Sequence, residues 1–303
     1  MSRIHAVISK LRRRTPALVF ILSLLSMTLS ATPAPARSSA EEVRALEVIK
    51  QARAAIGGEE KLRSVSGLSL AWKFRRLTRQ GGQETGETRY DFIFPDKFRK
   101  EEILNMGGDD ITEVNSSSLL NGELARFDVR SSNPGVPVMD NGPGGGDAQA
   151  RLRQGLRKEY ALQALQLLLT PSPSYPFEFT YAGEAQAGDG SADVLDAKGP
   201  GGFAVRLFFD KTTHRLLMMS YKEPRPVFMP GQQAKGATRS DSGENTEDML
   251  EVRLRFSDYR AEAGILLPHL ITREKDGKID RETELKSVKI NPSFKPEYFA
   301  VKG

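Results

Sequence analysis

FSDYRAEAGILLPHLITRE, Phe256–Glu274, is the stretch on which the reading of this chain turns. It holds Ser257, Asp258 and His269, the residue types of a hydrolase triad, within thirteen positions. It also reads as two strands joined at Ala263-Gly264. Before the turn Leu250, Val252, Leu254 and Phe256 alternate with Glu251, Arg253, Arg255 and Ser257, and Ile265–Thr272 supplies the return. A catalytic serine needs a sharp exposed turn and a base within reach. Ser257 instead sits on the polar face of a strand, and the chain contains no G-x-S-x-G elbow. The spacing predicts a β-hairpin, and with it a container rather than an enzyme.

The same two-residue period recurs along the chain. Leu68, Leu70, Trp72 and Phe74 share one face, and Tyr90, Phe92 and Phe94 continue it until Pro95 stops the pairing. Phe177, Phe179 and Tyr181 alternate, as do Phe203, Val205, Leu207 and Phe209. Gly81-Gly82, Asn121-Gly122, Asp210-Lys211-Thr212 and Asp276-Gly277 supply turns, the last leading into Lys278–Ile290. About ten strands with hairpin signals and no alternating βαβ pattern predict an antiparallel sheet throughout.

Two helices interrupt the strands. Glu41–Ile56 places Leu46, Ile49, Ala52 and Ile56 on one face and ends at Gly57-Gly58. Asp147–Thr170 starts at a capping aspartate, stops before Pro171 and carries Leu152, Leu156, Leu162, Leu165, Leu168 and Leu169. Those leucines are too many for a narrow stripe, so its second half is expected to be buried all round. The fold class that follows is mainly antiparallel β with α: an incomplete, strongly curved β-barrel with helices packed in its concave face.

Residues 1–36 combine a basic start, MSRIHAVISKLRRR, with the apolar Ala17–Ala31 and the small residues Ala34-Pro35-Ala36. That pattern is a signal peptide with its cleavage site, the apolar run being too short to span a bilayer. Residues 37–303 then form a single domain with long irregular loops at 131–146 and 223–247. Removing Arg3, Lys10, Arg12, Arg13 and Arg14 leaves 39 basic residues against 39 acidic ones. A pI of about 9.3 therefore belongs largely to the leader, and a nucleic-acid partner loses its electrostatic footprint.

Cysteine is absent, which excludes disulfides, a thiol nucleophile and a lipidated N-terminus. No H-E-x-x-H occurs, and Asp189, Asp193 and Asp196 depart from calcium-loop spacing and read as turn residues flanking a strand. Gly231–Thr238 imitates a phosphate loop without its lysine, and Gly142–Gly146 reads as loop chemistry. No metal and no cofactor are expected.

The order of these elements, with YAGEA (181–185), LFFDKTTH (207–214), FSDYR (256–260) and GILLP (264–268), resembles the periplasmic outer-membrane lipoprotein-sorting carriers of the LolA/LolB-like superfamily. The resemblance runs over nearly the whole chain after residue 36. This chain is longer than the typical carrier and has one patterned central helix in place of a lid pair. The resemblance implies a periplasmic, monomeric, non-enzymatic carrier in outer-membrane biogenesis. Its ligand would be a lipid or an acylated lipoprotein, with no membrane span after signal cleavage. The expected cavity lining is Leu70, Trp72, Phe74, Phe92, Leu254 and Phe256, with Leu165 and Leu169 on the helical plug. The alternative is an envelope sensor or regulator that uses the same fold and its long loops as a protein interface.

Overall fold

The computed structural model describes residues 36–78, 81–106, 112–133, 140–141, 146–170, 172–187, 190–225 and 249–300. Residues 1–35 of the segment read as a signal peptide, most of both long loops and the segments at 142–145 and 231–238 lie outside these residues. Helix α1 (Ala36–Ile56) and the short α2 (Glu59–Ser64) precede a first run of strands: β1 (Gly67–Leu77), β2 (Gln83–Ile93), β3 (Lys97–Met106), β4 (Thr112–Asn121), β5 (Leu124–Ser131) and β6 (Asp140–Asn141). Helix α3 (Gly146–Leu168) leads to a second run: β7 (Glu178–Ala187), β8 (Gly190–Lys198), β9 (Ala204–Asp210), β10 (Leu216–Pro224), β11 (Met249–Glu262), β12 (Ile265–Lys275) and β13 (Lys278–Ile290). A short 3-10 turn, Pro296–Phe299, closes the described chain.

All strands join one sheet in the order β6-β5-β4-β3-β2-β1-β13-β12-β11-β10-β9-β8-β7, and the strand pairs are antiparallel. The two runs are simple meanders, joined in the middle where β1 pairs with β13, Leu68 opposite Ile290 and Phe74 opposite Thr283. Strands spaced about 4.8 Å apart would make a flat sheet of this size nearly 60 Å wide. Residues of β2, β3, β8, β9 and β11 nevertheless share one continuous core with α1 and α3. The sheet is therefore an open, strongly curved half-barrel, and α3, about 34 Å long, connects one free edge to the other across its concave side.

Among the described residues thirteen strands stand where about ten are expected. Stretches such as KFRKEEILNM and TEVNSSSLLN pair with each other along their length although few of their residues are apolar, because the ladder's hydrogen bonds come from the backbone. Asn121-Gly122 shifts by one. Asn121 pairs with Leu124, so the turn is Gly122-Glu123 with positive φ at Gly122 alone, the pattern that wants glycine first. Ala263-Gly264 and Asp276-Gly277, both read as turns, each have positive φ at both central positions, as in a type I′ turn.

In α1 the packed positions are Ala45, Val48, Ala52 and Ile56, while Leu46 is 61% exposed. The helix lies close against β7, and alanine rather than leucine permits that approach. Gly57 ends it where a Cβ would come within 3.1 Å of the Gly264 carbonyl, so the glycine lets the helix end seat on the β11–β12 turn. Asp147 falls inside the first turn of α3 and not at its cap. The second half of α3 is buried as expected: Tyr160, Ala161, Ala164, Leu165, Leu167 and Leu168 are all inaccessible. Leu169, at φ 51°, turns the chain out of the helix. No helix among the described residues is long and apolar enough to cross a membrane.

Candidate functional site

Because α3 spans a concave surface wider than itself, it does not fill all of it. A cavity of about 460 Å³ remains between the exposed flank of α3 and the inner face of the sheet. The helix contributes Gly155, Lys158, Glu159, Leu162, Gln163 and Gln166, and the sheet contributes residues from β1, β2, β3 and β10 to β13. Its apolar walls are Trp72, Tyr90, Leu162, Tyr221, Leu254 and Ile271. At Gly155 a Cβ would meet nothing within 4 Å, so the missing side chain leaves room.

The cavity is also charged. Tyr90 pairs with Lys100 and Thr88 with Glu102 across β2 and β3, which puts these groups on the face that carries Phe92 and Phe98 further along. Arg273 and Arg281 stand opposite each other on β12 and β13. Arg281 donates to Glu102 at 3.0 Å and to the Thr88 hydroxyl at 3.0 Å, and its guanidinium lies 3.6 Å from the centre of the Phe74 ring. Lys100 donates to Glu159 of α3 at 2.9 Å, and Arg273 to Asp280 at 2.8 and 2.7 Å.

Burial alone would raise Glu102, yet Arg281 and Lys100 hold its carboxyl below the usual range. For Lys100, burial pulls downward and is outweighed by Tyr90, Glu159 and Glu102, so the ammonium stays above its ordinary value. Burial pushes the phenols of Tyr90 and Tyr221 up. These groups form a paired electrostatic layer that ties α3 to the sheet through Lys100 and Glu159. Breaking one partner of such a pair costs more than the pair contributes.

Of the residues expected to line a hollow, Trp72 and Leu254 face this cavity. Phe74 lines a second hollow of about 460 Å³ with Gly86 and Leu270. Leu70, Phe92, Phe256, Leu165 and Leu169 are packed into the core beside and beneath α3. Lys100, Arg273 and Arg281 escaped notice because a charged residue on a strand reads as outward-facing. The register carries the missing signal: once Phe92 and Phe98 define a face, the two-residue period puts Lys100 and Glu102 on it.

The three residues of the opening hairpin are not assembled for catalysis. Ser257 pairs with Leu270 in the ladder. Both carboxylate oxygens of Asp258 are held by Arg260, at 3.0 and 2.6 Å. Buried His269 brings Nε2 to 3.1 Å of Glu262 Oε1 without a hydrogen bond between them. Asp193 accepts from the Tyr181 hydroxyl at 2.9 Å and Asp196 pairs with Arg206, so both have structural partners.

The molecule is thus a curved antiparallel half-barrel with a helix laid across a partly charged cavity. The chain is similar to several solved structures. One is an outer-membrane lipoprotein-sorting protein domain from Vibrio parahaemolyticus, at 11% identity over 85% of this chain and 97% of that one, with a TM-score of 0.49. A LolA superfamily protein from Nitrosomonas europaea matches at 10% identity over 85% and 97%, with a TM-score of 0.46. A DUF1329 family protein from Desulfovibrio piger matches at 10% identity over 84% and 97%, with a TM-score of 0.48. Neither a protein-family model nor a curated protein matches the sequence.

Proposed function

We propose that the protein is an exported, non-catalytic carrier that holds a lipid or the acyl chain of an acylated polypeptide in the cavity under α3. The observation that carries this reading is the cavity itself: about 460 Å³, within the size range of small-ligand sites, walled by Trp72, Leu162, Tyr221, Leu254 and Ile271. Each methylene moved from water onto such walls contributes about 0.8 kcal/mol. A chain longer than the cavity would displace the second half of α3, after which Leu70, Phe92, Phe256, Leu165 and Leu169 would join the lining. Uptake and release would then be an exchange between helix packing and acyl packing on one surface.

Trp72 is the chain's single tryptophan and lies in the cavity wall. Its fluorescence therefore reports occupancy directly. Mid-chain-brominated acyl ligands should quench it in a saturable way, and native mass spectrometry of the gently purified protein should show co-purified lipid. Quenching no greater than for an aqueous bromide control, together with a clean unliganded mass, would overturn the reading.

A further inference from the structure

Four cations and two carboxylates line the cavity. Three of the cations have a carboxylate partner: Lys100 has Glu159 at 2.9 Å, Arg281 has Glu102 at 3.0 Å and Arg273 has Asp280 at 2.7 Å. Of the two carboxylates, Glu159 serves Lys100 and Glu223 is taken by Lys275 at 2.9 Å. Lys158 is left over. Its ammonium lies 3.6 Å from the centre of the Phe203 ring. Among the described residues it has no carboxylate at ion-pair distance. Burial holds its pKa below 10.5, with the charge of Glu223 opposing that effect in part.

Leu162, Leu254 and Ile271 line the same cavity. A plain hydrocarbon would cover those walls and leave the ammonium as it is.

We infer that the cavity selects an acyl chain bearing an anionic head, a carboxylate or a phosphate, with Lys158 as its counter-charge. Leu162, Leu254 and Ile271 take the hydrocarbon. This rests on the carrier reading and names the ligand class within it. The experiment titrates Trp72 fluorescence with three ligands of one brominated chain: the fatty acid, the acyl phosphate monoester and the uncharged methyl ester. A charge-assisted hydrogen bond predicts at least about tenfold tighter binding of a charged ligand than of the ester. Lys158→Met, which keeps the stem, should abolish that difference while leaving ester affinity within about twofold, and Lys158→Arg should restore it.

If only one of the two anions is preferred, the inference holds and the source of the head is identified. Equal binding of acid, phosphate and ester by the unmodified protein would overturn it with the carrier reading intact. Loss of all three would overturn both. The comparison within the unmodified protein does not depend on whether any variant folds.

Discussion

Arg53 of α1 donates through Nη1 to the carbonyl of Leu169 at 2.9 Å, across the end of α3. The same nitrogen reaches the Leu168 carbonyl at 3.1 Å, and Nε holds Glu59 at 2.7 Å. The last carbonyls of a helix have no partner of their own, and a positive group there also opposes the helix dipole favourably. One side chain thus pins the far end of the cavity cover to the N-terminal helix. Arg53→Met should cost about 1.5–3 kcal/mol, the scale of hydrogen bonds to a charged group. Hydrogen exchange should speed up first in the last turn of α3, and acyl-ligand uptake measured by stopped-flow should become faster. Unchanged exchange in that turn would show that the pin is dispensable.

Leu162 offers a test of the cavity that leaves the core alone. It is only partly buried on α3 and faces the hollow. Leu162→Trp should fill space, lower acyl affinity by more than tenfold and change stability by less than about 1.5 kcal/mol, since the added volume meets a void and not a packed neighbour. Acyl affinity measured by displacement of a fluorescent fatty acid decides the matter, because the variant adds a second tryptophan.

Glu102 sets an acid limit on the fold. Arg281 and Lys100 hold its folded-state pKa below the ordinary 4.5 against the effect of burial. Unfolding releases the carboxyl to its ordinary value, so the unfolded chain binds the proton first as pH falls. The contribution is therefore complete above about 4.5 and is lost as pH drops through the lower folded value. Glu102→Gln should be destabilised by about 3–5 kcal/mol near neutrality, because Arg281 is left without its partner. Its melting temperature should fall less steeply below pH 4.5 than that of the unmodified protein. Parallel curves for the two proteins would mean that Glu102 does not titrate as described.

Two glycines should respond in opposite directions to the same change. A Cβ on Gly86 would lie 2.2 Å from the Ile103 carbonyl oxygen and 2.4 Å from the Phe74 ring, so Gly86→Ala must move backbone or the ring beneath Arg281. A loss of about 1–3 kcal/mol is expected. Gly155 lies within α3 with open space at that position, and Gly155→Ala should stabilise by about 0.5–1 kcal/mol through helix propensity. Chemical denaturation of both variants distinguishes the cases.

Much of this architecture was legible because strands with one greasy face announce it. Leu68 to Phe74 and Leu250 to Phe256 are read correctly from period two, and two hairpin turns from Ala263-Gly264 and Asp276-Gly277. Strands without that contrast, such as Thr112–Asn121, offer pairing through the backbone and leave no periodic trace. The phase of α1 was hidden because Leu46 outweighs Ala45 on any hydropathy scale, while closeness to β7 rewards the smaller residue. Least visible was the charged layer of Lys100, Glu102, Arg273 and Arg281. Period two gives the face of Lys100 and Glu102, but the pairing of Glu102 with Arg281 joins residues three strands apart in the sheet and distant in sequence, which no local pattern encodes.

The pairing of β1 with β13 has a consequence for how the molecule comes into being. The seam joining its two halves unites the first and last strands of the sheet, so a nascent chain emerging in order cannot close it until β13 has been made. Contacts this remote in sequence are slow to find one another. The unfinished product carries an unsatisfied edge all that time, and the last strand acts as the key that completes it.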